Sequence, residues 1–440
     1  RFNLIKSNNS GSLLNYFIGV NSATNAGTAS MPVIRGLADD RIKIKVDGMD
    51  LVSACANHMN SPLSSISSAN VKEIKVFAGL TPVSMGGDSI GGSVIINSAQ
   101  PVFAKANESV FKNKISTFYR TNNKAIGVNI SSSIASDKLS FNYNGSYIDA
   151  KNFKAAKHFK ESGLAATGRE FLRGDEVGSS AFKDGNHMIT VGVRKDNQLF
   201  NIKLGYQNTP YQGFSNQRMD STKNEVIKIN MAYQNNYDWG KLESRFYNEK
   251  TQHSHNFGQD KQLAYSMNVI GMPMNAKGYN LGFNVKADIL FSQKDLVTIG
   301  TEFQRYRLED WWTDSGTGPM SPNTFQNINN GERDRFDIYA EWLKSWTPDL
   351  NSSIGLRYGQ VRSNSGAVHG YNNNNSMGST VHNQLNNSTA FNSSNTSEES
   401  LFFSTYAVYA LVKFSRSRYL MKKAMVSALR NNSFQLPGAL

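Results

Sequence analysis

Long apolar runs are absent from this sequence of 440 residues. A membrane-crossing helix needs roughly 18 or more consecutive apolar residues, and no window approaches that length, so helical membrane spans are excluded. Cysteine occurs once, at Cys55, which rules out an internal disulfide. The net charge of +13 is scattered, with no basic helix or stripe, and we therefore expect no nucleic-acid partner.

Sequence motifs for catalysis are also missing. The chain has no nucleophile elbow, no His-Glu-x-x-His and no obvious acid pair. The glycines at 86, 87, 91 and 92 are not followed by Lys-Ser/Thr ahead of a helix, which excludes a phosphate-binding loop and leaves a role in tight turns. We therefore expect a protein that is not an enzyme.

Aromatic residues and glycine are abundant, with 25 Phe, 18 Tyr and 35 Gly, and Asn and Ser crowd the stretches between apolar segments. This composition favours many strands joined by polar loops. From about residue 115, apolar side chains alternate with small polar ones, as in Ile126, Val128 and Ile130. The alternation predicts strands at 126–134, 139–147, 187–194, 199–207, 226–234, 241–250, 280–290, 296–306, 333–344, 351–360 and 401–413.

The chain divides into three regions. Residues 1–105 have a mixed pattern that predicts a small α+β domain, residues 106–414 carry the alternation, and residues 415–440 lose it and read as a basic tail. Within the first region we expect a short helix at 11–17 and strands at 41–46, 71–77 and 93–97, with a turn at Asp47-Gly48.

Connection lengths discriminate between a soluble sandwich and a membrane barrel. Tight turns at 137–138, 196–197 and 238–240 alternate with long polar loops at 151–185, 304–331 and 362–399. Outer-membrane barrels have this asymmetry, whereas a sandwich has no reason to keep its long loops on one side. Closure of a barrel also satisfies the backbone polar groups that lipid cannot. We interpret the chain as mainly β, with a transmembrane antiparallel β-barrel.

Cys55 lies in the segment 54–60 (ACANHMN), which brings a thiol, an imidazole and a thioether within five positions. This set favours a thiophilic ion such as Cu(I) over Ca²⁺ or Mg²⁺, which prefer oxygen ligands. If residues 55–59 form one helical turn, Cys55 and Met59 share a face, and His58 points elsewhere as an orienting residue. The alternative is that Cys55 is a small hydrophobe of the core.

Four segments in order resemble the plug domain of TonB-dependent outer-membrane receptors. They are 31–37 (MPVIRGL), 41–48 (RIKIKVDG), 71–76 (VKEIKV) and 86–97 (GGDSIGGSVIIN). The resemblance implies a plug inside a 22-stranded barrel in the outer membrane of a Gram-negative bacterium. It also implies a monomer in contact with membrane lipid and lipopolysaccharide, energised by the TonB-ExbB-ExbD complex.

Within that family, segments 54–63 (ACANHMNSPL) and 212–220 (QGFSNQRMD) resemble the copper receptor branch. In that branch a Cys-x-x-x-Met pair on the plug and a His-x-Met pair on the barrel bind the metal. The first pair corresponds to Cys55 and Met59. The second pair corresponds to His253 and His255, where a second His replaces the Met. An imidazole at this position tolerates Cu(II) or Zn²⁺ better than a thioether does. The replacement leaves the fourth ligand open.

An extended chain would place His253 and His255 on one face. Met272 and Met274 follow in the next loop, as a transient relay or as apolar filler.

The resemblance predicts a receptor and transporter whose substrate, a copper ion, is held between plug and barrel. Two alternatives stay open: a receptor of the same family for a siderophore, cobalamin or a metallophore, and a surface β-barrel that does not transport. About twelve strands are predicted, too few to enclose a plug of about 100 residues. We therefore expect an incomplete barrel, about 12 of 22 strands, in a chain truncated at both ends, without the N-terminal segment that contacts TonB.

Overall fold

The computed structural model describes residues 10–24, 26–56, 58–86, 89–165, 170–258, 260–261, 273–314, 325–347 and 350–366, and the backbone of 396–409. Met272 and the predicted tail at 415–440 lie outside these residues. Among the described residues no helix has the length and apolar character needed to cross a bilayer.

The N-terminal domain contains two small sheets. Its strands are β1 (Val20–Thr24), β2 (Ser30–Ile34), β3 (Leu37–Ala38), β4 (Ile42–Val46), β5 (Met49–Asp50), β6 (Val71–Ala78) and β7 (Gly92–Ser98). Strands β1, β2 and β3 form one sheet, and the second has the order β5-β4-β7-β6, with β4 and β7 parallel. The predicted strands are confirmed, but the predicted helix at the start is a 3-10 helix, Gly11–Tyr16.

Three further 3-10 helices lie at Asp39–Arg41, Pro62–Ser65 and Ser68–Asn70. The domain's core contains the alternate residues Ile42, Ile44 and Val46 of β4. All five residues of β4 are buried, because the lysines on its other face are covered by the second domain. The Asp47-Gly48 turn that follows has positive φ angles of 48° and 76°, which suit glycine at the second position.

The second domain is one antiparallel sheet of twelve strands in which neighbours in sequence are neighbours in space. Its strands are β8 (Val110–Arg120), β9 (Ala125–Ala135), β10 (Leu139–Ala150), β13 (Phe182–Lys195), β14 (Gln198–Gln212), β15 (Asp220–Tyr237), β16 (Gly240–Asn256), β17 (Met274–Ser292), β18 (Asp295–Trp312), β19 (Phe325–Ser345), β20 (Leu350–Asn364) and β21 (Thr396–Tyr409). A two-stranded hairpin, β11 (Gly163–Leu164) and β12 (Phe171–Leu172), lies in the connection between β10 and β13. Among the described residues this is the predicted β-barrel architecture, in which eleven of the twelve strands overlap predicted ranges and β8 was not predicted.

The outer face of this sheet is apolar. Ile126, Ile130 and Ile134 of β9 are 61%, 40% and 54% exposed, as expected for side chains that face lipid. The predicted tight turns are confirmed, but the strands extend further than predicted on the opposite side. Strand β18 reaches Trp312 and β19 begins at Phe325, so the loop predicted at 304–331 is much shorter.

The inner face of the sheet surrounds the N-terminal domain and hydrogen-bonds to its loops. Asn280 and Gln304 donate to the backbone oxygen of Asp50 at 2.8 and 2.9 Å, and the Tyr306 hydroxyl donates to the backbone oxygen of Ser53 at 2.9 Å. These bonds fix the loop that follows β5 against the wall.

Buried ion pairs also connect the N-terminal domain to the twelve-stranded sheet, at β4 and β5. Glu302 of the wall lies 2.5 Å from Lys45 and 2.5 Å from Arg357, and Arg335 lies 2.8 Å from Asp50. Buried ions of this kind need their partners, because an unpaired charge in this setting is costly. The N-terminal domain is therefore seated in the wall by a charge network as well as by hydrogen bonds.

Candidate metal centre

Three of the predicted ligands meet between the two domains. One ligand atom each of Cys55, His253 and His255 lies within 4.8 Å of the others, and Cys55 Sγ lies 3.7 Å from His255 Nε2. The Nε2 atoms of the two histidines contact each other directly. All three residues are at most 2% exposed. Two facing ring nitrogens can share one proton at most, so this geometry suits a cation that accepts all three lone pairs.

Strand β16 explains why the two imidazoles are side by side. His253 and His255 are two positions apart in an extended strand, so both side chains point to the inner face. His253 is paired with Asn224 on β15 and with Ala276 on β17, while His255 is paired with Met274 on β17.

Asn224 orients the first imidazole. Its Oδ1 lies 3.1 Å from His253 Nδ1, which assigns the proton to Nδ1 and leaves the lone pair on Nε2 directed at the centre. Sequence reasoning missed Asn224, although a signal existed. The tight turn pairs Tyr237 with Gly240, and counting back along both strands from this turn places Asn224 opposite His253.

Cys55 and Met59 reach the centre from a loop of the N-terminal domain, not from the helical turn expected from their spacing. The Cys55 N–H donates to Ser53 Oγ at 3.2 Å, and Ser53 Oγ donates to the backbone oxygen of Asn60 at 2.7 Å, which closes the loop on itself. The His58 N–H donates to the Cys55 oxygen at 2.9 Å, and His58 has a positive φ of 52°. This turn brings Cys55 and Met59 into one buried cluster.

His58 faces a different group. Its Nδ1 lies 2.6 Å from Asp39 Oδ1, and its Nε2 lies 3.8 Å from Asp40 Oδ2. The His58 side chain is 34% exposed, in contrast to the buried histidines of the wall.

Apolar and sulfur-containing side chains enclose the centre. The cluster comprises Ala29, Cys55, Met59, Phe214, Met219, Phe257, Met274 and Ala276. Met274 is 1% exposed and pairs directly with His255, so its thioether belongs to the surroundings of the imidazoles. Of these residues, sequence reasoning had proposed Cys55, Met59 and Met274. Met219 and Phe214 lie in segment 212–220, which was noted without an assigned role.

The donor set is chemically soft. A thiolate and two neutral imidazoles, with thioethers nearby and no carboxylate in the group, suit Cu(I) or Zn²⁺ and do not suit the oxygen-seeking Ca²⁺ or Mg²⁺. Enclosure by Phe214 and the methionines excludes water, which disfavours hydrated ions.

Comparisons with known proteins agree with the architecture. Residues 3–93 match the family described as TonB-dependent Receptor Plug Domain. No curated protein sequence matches the chain.

Solved structures extend the likeness beyond the plug. The copper transporter OprC has a TM-score of 0.70 at 15% identity, over 90% of this chain and 58% of its own. The FrpB iron transporter from Neisseria meningitidis gives 0.67 at 15% identity, with the same coverage. The unliganded ferric citrate transporter FecA gives 0.60 at 15% identity, over 91% and 58%. Identities this low establish the fold and leave the cargo open, and the chain spans 58% of the length of these structures.

These three proteins are named as transporters of copper, of iron and of ferric citrate. Residues 3–93 match the TonB-dependent receptor plug domain, and with the strands around them the chain has the fold that these transporters share.

Proposed function

We propose that this protein is a receptor for the uptake of a bare thiophilic metal ion, with copper as Cu(I) the preferred cargo. One observation carries the proposal: the plug's only thiol and two imidazoles of the wall point at one buried position. Sulfur and neutral imidazole together prefer a soft or borderline ion.

The division of the ligands supports transport over storage. Cys55 and Met59 belong to the plug, while His253, His255 and Met274 belong to the wall. A movement of the plug therefore changes the coordination of the ion, which a site within one domain would not allow. In this proposal the TonB system supplies the force, and displacement of the plug releases the ion.

Burial argues for a bare ion over a chelate. Cys55, His253 and His255 are 2%, 2% and 1% exposed, so these three side chains offer almost no surface to an organic ligand. A receptor for a siderophore, cobalamin or a metallophore would recognise its cargo with outer loops and would leave Cys55 without a metal. Solved structures with this fold include receptors for ferric enterobactin and ferric citrate, so this alternative has to be tested directly.

The test is metal analysis of the purified protein in detergent under reducing conditions. After loading with Cu(I) and desalting, we expect one copper per chain, with both sulfur and nitrogen neighbours in the X-ray absorption spectrum. Parallel loading with Zn²⁺ and with a ferric siderophore serves as the comparison. Retention of the siderophore without retention of Cu(I) would overturn the proposal.

A further inference from the structure

Segment 212–220, here called the cap segment, joins β14 to β15 on the side of the barrel that carries the long loops. Its Phe214 is fully buried, and the Phe214 ring lies 5.8 Å from the His255 ring, centroid to centroid. Phe214 also packs in the apolar cluster that contains Cys55 and Met59. The ring therefore covers the centre from the wall, in a segment that contributes none of the candidate ligands.

Asp220 fixes the backbone of Phe214. The carboxylate is fully buried, and its Oδ1 accepts the Phe214 N–H at 2.8 Å. Its Oδ2 accepts from the hydroxyls of Ser179 at 2.8 Å and Tyr211 at 3.1 Å. Three hydrogen bonds to one buried carboxylate are more than the shape of a surface loop requires, so the position of Phe214 is specified.

Lys261 holds the other side of the same residue. Its Nζ donates to the backbone oxygens of Phe214 at 2.6 Å and Gln217 at 2.7 Å, and lies 3.4 Å from Asp220 Oδ1. The Asp220–Lys261 ion pair thus hydrogen-bonds to both the N–H and the carbonyl oxygen of Phe214.

The cap segment also touches the plug and a second long loop. Gln212 Nε2 donates to Asn60 Oδ1 at 3.1 Å, and Gln212 Oε1 accepts from the Thr28 hydroxyl. At Gly213 a Cβ atom would collide with the backbone of Ser179, so only glycine allows this approach. The segment is therefore connected to the plug loop that carries Cys55 and Met59.

We propose that Phe214 is a cap over the metal centre and that the Asp220–Lys261 pair is its latch. The cap controls how fast the ion enters and leaves, while the ligands determine how tightly it is held. This inference rests on the proposed function, since it requires a bound ion. It also assigns a role to the one motif of the copper-branch resemblance that supplies no ligand.

The experiment measures transfer of bound Cu(I) from the loaded protein to excess bicinchoninate. Phe214→Ala should speed transfer by about tenfold or more, because loss of a buried ring lowers the cost of local opening. Phe214→Leu keeps most of the apolar volume and should stay within a few-fold of the wild type. Asp220→Asn should also speed transfer, with copper stoichiometry unchanged in all three variants.

Ile148→Ala is the control, since Ile148 of β10 is 7% exposed, belongs to a different apolar cluster and pairs with Gly127 and Asp184, outside the cap segment. It should transfer copper at the wild-type rate. Wild-type protein that retains copper, combined with an unchanged rate in Phe214→Ala and Asp220→Asn, would overturn the cap. Wild-type protein that retains no copper would instead overturn the proposed function. If Phe214→Ala fails to fold, Asp220→Asn decides, because a faster rate in that variant supports the latch and a wild-type rate overturns it.

Discussion

Replacement of Cys55 by serine is the sharpest test of the metal centre. Cys55 Sγ lies 3.7 Å from His255 Nε2, close to the separation of about 3.5 Å that a sulfur and a nitrogen ligand of one tetrahedral ion have when their bonds to it are roughly 2.3 and 2.0 Å long. Serine has nearly the same shape but offers a neutral, hard oxygen in place of a soft thiolate. The variant therefore changes the ligand and leaves the loop geometry intact.

The expected loss follows from the number of ligands. Thiolate and imidazole sites with four ligands bind metal with about 10 to 16 kcal/mol, or roughly 3 kcal/mol for each ligand. This corresponds to about a hundredfold rise in the dissociation constant of Cu(I). The cost to folding is smaller, about 1 to 3 kcal/mol, because one hydroxyl enters an apolar cluster with an imidazole as its neighbour.

The assay is competition for Cu(I) against a chelator of known affinity, with thermal unfolding of the metal-free proteins measured in parallel. His187→Asn is the control, because His187 lies on β13 with its ring 2.8 Å from the Tyr143 hydroxyl and outside the metal group. Wild-type affinity in Cys55→Ser would refute the assignment of the thiol as a ligand, and the protein would then be a receptor of unknown cargo.

Substitutions at three further positions test the orientation of His253 and the charges between plug and wall. Asn224→Ala should weaken Cu(I) binding by about 10- to 100-fold in the same competition assay, while Asn224→Asp keeps the acceptor for His253 and should bind nearly as the wild type. Glu302→Gln leaves buried cations such as Arg357 without a full partner and should lower the free energy of unfolding by about 3 to 5 kcal/mol in denaturant titrations; a loss below about 1 kcal/mol would contradict the network. Burial lowers the pKa of Lys43 to about 7, so its charge costs stability below pH 7 and this cost fades as the pH rises toward the unfolded-state pKa of 10.5. Lys43→Met also removes the 2.9 Å ion pair with Asp50, so the test is the pH dependence: the change in melting temperature should be more positive at pH 6 than at pH 9, and equal changes at the two pH values would contradict the burial effect.

The barrel was predictable because its signal is local. Strand alternation and tight turns are determined by residues close in sequence, and side chains that contact lipid are apolar. The predictions for β9 and β10 therefore needed no tertiary information. The strand ends beyond the membrane were missed because polar strands there resemble loops in sequence. The extension of β18 to Trp312 is the clearest case.

The centre was predictable in part. Cys55 and His255 are 200 positions apart, and only the family resemblance could join them. The local geometry at Cys55 was wrong, because a spacing of four suggests a helical turn while Ser53 and the positive φ of His58 make an irregular loop instead. Burial of Lys45 could not be foreseen, since alternation in β4 assigns lysine to solvent and only the wall supplies Glu302.

In the proposed function, the length of the metal–sulfur bond determines how far the plug must move to release the ion. A metal–sulfur bond of about 2.3 Å fails when its ends separate by a further ångström or two, so a small plug movement is enough to detach Cys55. The two imidazoles stay on β16, which is paired along its length with β15 and β17 and does not follow the plug. An ion held only by His253 and His255 has lost its charged ligand and most of its affinity.

Gln212 joins the cap segment to Asn60 of the same plug loop, so the movement that removes the thiol also pulls on the segment that carries Phe214. In the proposed function, plug displacement, ligand loss and cap disturbance are therefore one mechanical event, which a transporter needs and a permanent metal store does not.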